Sequence, residues 1–248
     1  MPQYLVAIFR HVSRKTIRES KVATAIAMVL LLNAAHAMAQ DAKATYPSMA
    51  PLQQYLMDRG AEIALARTAA PASISESAEV LVLEQAGYTT AAKGNNGFVC
   101  VVERSWGAAT DEPEFWNPKV RAPICFNPAA ARSFLPIFLM KTKLVLAGKS
   151  KAEILRATGS AFDKKELPAL EQGAMCYMLS KQQYLNDRGK SWHPHLMFFI
   201  PGDTAKSWGA DLPGSPVIAA NDPEERATIF MVWVGTWSDG TPALPISH

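Results

Sequence analysis

Apolar side chains at Leu52, Tyr55, Leu56, Ile63 and Ala66 keep to one face of a helical wheel and predict a helix between Pro51 and Pro71. Pro51 suits its first turn, Pro71 closes it, and Asp58, Arg59 and Glu62 occupy its polar face. Two short apolar runs follow, Val80–Leu83 and Phe98–Val102, separated by Gly87 and the cluster Gly94-Asn95-Asn96-Gly97. These spacer residues tolerate positive φ, so the stretch reads as an antiparallel hairpin with a decorated turn. From Trp106 to Pro128 the prolines at 113, 118, 123 and 128 argue against both helix and ladder pairing. That segment is expected to be a long ordered loop, a place where compact domains often carry lids or binding loops. Asn127 as cap and Pro128 at the first helical position open a second helix, running toward Ala147 with a kink at Pro136 and a stop at Gly148. Ser150 and Glu153 form a capping box for a third, to about Thr158. Three further apolar runs, Ala174–Leu179, His195–Ile200 and Ile229–Val234, read as strands covered on both faces. The expected architecture is α+β: a largely antiparallel central sheet of about five strands with about three packed helices.

The pattern at the amino terminus is of another kind. Basic residues run to Lys21, an apolar stretch spans Val22–Leu32, and small residues lead to Ala37-Met38-Ala39 before Gln40. This is the layout of an export signal, with cleavage expected after Ala39 and a second possible site at Ala35-His36-Ala37. The apolar stretch is short for a hydrocarbon layer about 30 Å thick, so no stable membrane anchor is expected after cleavage. No cysteine lies near the cut, which argues against a lipid anchor. Ser13-Arg14-Lys15-Thr16-Ile17-Arg18 loosely resembles a twin-arginine signal but has Lys15 where a second arginine belongs, and export in the unfolded state is expected. The working chain would be a single domain over 40–248, with a flexible leader at 40–50, in the periplasm or outside the cell.

Cleavage changes the meaning of the charge. The whole chain carries +3, but its first 39 residues hold five basic side chains against Glu19, and 3 − 4 leaves −1 for the rest. A nucleic-acid partner loses its compositional support. A hydrophobic share of 49% with 19% charged residues excludes a disordered chain.

An exported chain can hold a disulfide, and Cys100, Cys125 and Cys176 allow three alternative single bridges. Cys100–Cys125 closes the shortest loop and leads; Cys100 and Cys176 lie in apolar runs and otherwise read as buried thiols. There is no CxxC, GxGxxG, HExxH, GxSxG or SxxK, and Ala147-Gly148-Lys149-Ser150 lacks the first glycine and the preceding strand of a phosphate-binding loop.

Histidine is scarce. Beyond the signal only His193, His195 and His248 remain, so imidazole chemistry centres on Trp192-His193-Pro194-His195. In an extended backbone, residues two apart face one side, and His193 and His195 could then hold a transition metal such as zinc in a metal-dependent hydrolase. Such a site needs a third protein ligand, which spacing does not select. The plainer alternative is a solvated His193 with His195 capping a strand. Trp106, Trp116, Trp192 and Trp208 fall at loop positions, where indoles either form platforms for a small molecule or glycan or plug the ends of the sheet. Glu103-Arg104 follows an apolar strand, so one of the two charges should face a covered side and need a partner. Glu103 is the carboxylate to name for general acid–base work, against a structural ion pair.

The run Gly173–Lys181, with His195-Leu196-Met197-Phe198-Phe199, Trp208-Gly209-Ala210 and Phe98-Val99-Cys100-Val101-Val102-Glu103-Arg104, resembles a family of exported bacterial proteins of unknown function over most of the cleaved chain. The resemblance implies export and a bacterial source, and it assigns no activity, cofactor or catalytic residue.

Overall fold

The computed structural model describes residues 45–210 and 212–244. The export segment 1–39 lies outside the described residues, as does the leader before Thr45. Eight strands form one mixed sheet: β1 (Glu79–Glu84), β2 (Gly87–Ala92), β3 (Val99–Glu103), β4 (Ala122–Phe126), β5 (Met175–Met178), β6 (His195–Pro201), β7 (Ile218–Asp222) and β8 (Ala227–Trp233). Their order is β2-β1-β3-β4-β5-β6-β8-β7, and only β1 with β3 runs parallel. The described residues also form five α-helices: α1 (Arg59–Arg67), α2 (Ala72–Ser75), α3 (Pro128–Ser133), α4 (Leu135–Leu146) and α5 (Lys151–Asp163). The α+β class and the mostly antiparallel sheet stand, with more strands and helices than expected.

The expected hairpin between Val80–Leu83 and Phe98–Val102 is corrected. Those runs pair in parallel as β1 and β3, and the polar segment between them is itself a strand. β2 turns back on β1 through Gln85-Ala86, with Gly87 at φ +124° opposite Glu84. Gly94 then lets the chain cross over β1: a Cβ there would lie 2.1 Å from the Glu79 nitrogen, so only glycine fits. The proline-rich segment is not one loop either, because β4 occupies its end. Pro123 is tolerated because β5 reaches only Cys125 and Phe126, so the ladder on that side begins past the proline.

Helix ends follow local chemistry. Asp58 accepts from the Ala61 amide at 2.9 Å and starts α1 seven residues later than Pro51, which instead leads into the 3₁₀ turn Leu52–Gln54. The helix expected over 127–147 breaks at Phe134, leaving Pro136 in the first turn of α4 where its missing amide costs nothing. Ser150 and Glu153 form the capping box of α5.

One face of the sheet packs against α3, α4, α5 and the segment 104–121 around Val101, Ile124, Phe126, Cys176 and Phe199. The opposite face is covered by α1 over β1, β3 and β4, and by the segment 203–217 over β6 and β8. Residues 45–50, expected as flexible leader, pack on the first layer: Tyr46 donates to Asp187 at 2.5 Å, and Met49 and Ala50 lie against the core. Cys100 and Cys125 face each other at paired positions of β3 and β4 and are bridged, while Cys176 is a buried free thiol whose ionisation burial pushes well up.

Candidate functional site

β6 opens at His195, which sits between Met178 of β5 and Trp233 of β8 in the ladder. The β5–β6 connection and the segment after β8 therefore leave the sheet at the same end and are knit together there. The Val234 amide donates to the Pro194 carbonyl at 3.0 Å and the Ser238 amide to Leu179 at 2.9 Å. The second segment folds back on itself through the bridge Thr236–Pro242. Lys181 reaches across to Asp239 at 3.0 Å. The Asp239 carboxylate also accepts from the Thr241 hydroxyl and amide, and these bonds, with Lys181 third, hold its pKa down at about 2.

Between the two segments lies a surface groove of about 620 Å³ lined by Lys181, Ser191, Trp192, His193, Trp237 and Pro242, with Leu244 at its end. Its volume falls within the roughly 300–1,000 Å³ of small-molecule sites. Trp192 is 44% exposed, yet its ring is fixed. Trp233 meets it edge-on at 4.8 Å between centroids, His195 touches it at 5.3 Å, and Gln183 donates to its backbone carbonyl at 2.5 Å. A large aromatic face held rigid while open to solvent binds at small entropic cost.

The two histidines share Trp233, whose ring lies 5.7 Å from His193 and 5.6 Å from His195, but they do different things. His195 is buried, and its Nδ1 lies 2.7 Å from the His193 carbonyl. That carbonyl can only accept, so Nδ1 carries the proton. Burial lowers the His195 pKa and keeps the ring neutral. His193 alone lines the groove. Among the described residues, no group of three or more His, Cys, Asp or Glu side chains gathers around a point where a metal could sit.

The other expected platform residues separate. Trp106 and Trp116 are core, which corrects the loop-platform reading. Trp106 is fully buried, lies 5.0 Å from the Tyr55 ring and donates to Thr142 at 2.9 Å; Trp116 is 6% exposed and stands edge-on to Phe115. Trp106 can offer no face to a ligand, while Trp116 shows only an edge, at a separate cavity beside Pro47, Met49 and Lys149. Trp208 is exposed but lies over Phe230, outside the groove. The residue missed by sequence reasoning is Trp233. It stood as one more apolar position at the end of a strand, and its role depends on a cross-strand register that no local pattern reveals.

Glu103 and Arg104 are both covered, on opposite faces of the sheet. Arg104 donates to Glu62 of α1 at 2.9 Å, to the Tyr55 carbonyl at 2.7 Å and to the Val102 carbonyl, making the structural ion pair. Glu103 points to the other layer, toward Gly107, where an added Cβ would lie 2.7 Å from its Oε2. Burial pushes its carboxyl up to about 8, Glu225 adds to the shift and Lys141 opposes it. Two strands, β4 and β5, separate Glu103 of β3 from His195 of β6, and Glu103 is not among the residues lining the groove. No helix among the described residues is long and apolar enough to cross a membrane.

Compared with protein-family models, with curated proteins and with solved structures, the chain finds no match.

Proposed function

We propose that this chain is an exported bacterial domain, periplasmic or secreted, that binds a small molecule or glycan in the groove between the β5–β6 connection and the segment after β8. The observation that carries this reading is Trp192: a large indole, nearly half exposed, buttressed on one side by Trp233 and facing a groove that also holds Trp237. Sugar rings present apolar C–H faces that stack on such surfaces, and their hydroxyls need nearby polar groups. Ser191, His193 and Lys181 line the same walls.

Titration of the intrinsic tryptophan fluorescence with a panel of soluble cell-wall oligosaccharides tests the reading. At least one should change the emission saturably, and Trp192→Ala should weaken that binding tenfold or more while leaving the far-ultraviolet circular dichroism unchanged. An emission that ignores the whole panel, or a Trp192→Ala variant that binds as the parent does, overturns the glycan-platform reading.

A further inference from the structure

On the α4 side of the sheet lies a second group of ionisable residues, of which Lys141 and Glu225 are buried and Glu103, Asp222 and Glu224 partly so. Lys141 of α4 is 1% exposed. Its ammonium donates to the Ala108 carbonyl at 3.1 Å and lies 3.3 Å from Glu225 and 3.9 Å from Glu224, both in the turn between β7 and β8. Glu224 in turn accepts from the amide and hydroxyl of Thr110, at 2.8 and 2.7 Å, while its second oxygen is buried with no hydrogen-bond partner. The segment 104–121 is thus tied to α4 through Ala108, to the β7–β8 turn through Thr110, and at its start to Glu103, whose carboxylate rests against Gly107.

Charge does not balance across this seam. One ammonium faces Glu224 and Glu225, with Asp222 behind them donating nothing and accepting from the Glu225 amide at 3.0 Å. Glu103 of β3 adds a further carboxylate, which makes no salt bridge among the described residues, where Lys141 pairs with Glu224 and Glu225. The remaining titratable groups facing Glu103 are the Cys176 thiol on β5 and the Tyr88 hydroxyl on β2, both held neutral by burial. Arg104 does not help, because it is committed to Glu62 on the opposite face. Several buried carboxylates around one ammonium cannot all stay ionised at low cost.

We propose that this seam is a proton-dependent latch: a proton held by Glu103 and Glu225 keeps the segment 104–121 closed on α4 and the β7–β8 turn, and its loss as pH rises loosens that segment. The direction follows from linkage. Both carboxyls are raised by burial above the ordinary value of 4.5, Glu103 to about 8 and Glu225 to about 7. Between the ordinary and raised values the closed form binds more protons than the open one, so closure is strongest below the ordinary value and weakens as pH climbs through that window. The latch is independent of any ligand in the Trp192 groove.

Hydrogen exchange of the whole chain, read by mass spectrometry from pH 5 to pH 8 and corrected for the intrinsic exchange rate, tests it. Opening of peptides within 104–121 should increase with pH, up to about tenfold per pH unit for each proton released on opening, and most steeply below about pH 7 where both carboxyls hold a proton in the closed form. Peptides from α5 should lack that slope. Glu103→Gln cannot ionise and should lower the slope across the range, and Glu225→Gln should lower it below about pH 7. A parent protein whose 104–121 opening is flat across the range overturns the proposal, as does a slope shared equally by α5, which would report global unfolding. A slope unchanged in both variants overturns it too.

Discussion

The buried pair between Arg104 and Glu62 permits a prediction with a magnitude. Both side chains are almost fully enclosed, at 0% and 1% exposure. The guanidinium satisfies Glu62 and the carbonyls of Tyr55 and Val102, while Glu62 also accepts from the Leu83 amide at 3.1 Å and keeps one buried oxygen without a partner. Arg104→Met keeps most of the aliphatic volume and removes all three donors. Stranding a buried charge in this way costs about 3–5 kcal/mol. The Val102 carbonyl keeps the Tyr88 hydroxyl as donor, and the Tyr55 carbonyl left without one adds on the order of 1 kcal/mol where water does not enter. A loss of about 4–6 kcal/mol is therefore expected at neutral pH, which for a domain of this size corresponds to a Tm lowered by roughly 8–24 °C. Urea unfolding followed by tryptophan fluorescence, with calorimetry for Tm, measures it. The double variant Glu62→Gln/Arg104→Met, which leaves no buried charge and keeps an acceptor for Leu83, should recover much of the loss. A cost under about 1 kcal/mol for Arg104→Met at an unchanged m-value, or a double variant as unstable as the sum of the singles, would refute the assignment.

The remaining predictions concern covalent state and address. Native protein should show no thiol reactive toward an aromatic disulfide reagent, unfolding without reductant should reveal one (Cys176), and full reduction should reveal three; three thiols without reductant would rule out the Cys100–Cys125 bridge. Protein recovered from outside the cytoplasm should have a mass that begins at Gln40, and recovery of the intact amino terminus would contradict the export reading.

Local chemistry was legible wherever it acts over a few residues. The capping box at Ser150 and Glu153, the Asn127-Pro128 helix start and the apolar strand runs needed no partner to be recognised, because capping and periodicity are short-range effects. The α+β class followed from their order. Long-range pairing was not legible. The sequence showed two apolar runs flanking glycines and implied a hairpin, but whether they pair antiparallel or parallel depends on the strand β2 between them, whose strand-favouring Tyr88, Thr89 and Thr90 are too polar and too close to glycines to form an apolar run. Pro123 implied a break in pairing, and only the shortness of β5 on its far side shows why it fits.

The candidate site divides in the same way. The sequence by itself determined that histidine beyond the signal is limited to His193, His195 and the terminal His248, that several indoles lie outside the predicted helices, and that Glu103 or Arg104 must be covered. Tertiary structure decided everything about their use. It buried Trp106 and Trp116, left Trp192 open, set Trp233 opposite His195, and sent Glu103 and Arg104 to different layers with different partners. The physical reason is that exposure and charge pairing depend on which distant strands become neighbours, and that choice is made by packing of the whole sheet rather than by any residue's own preference.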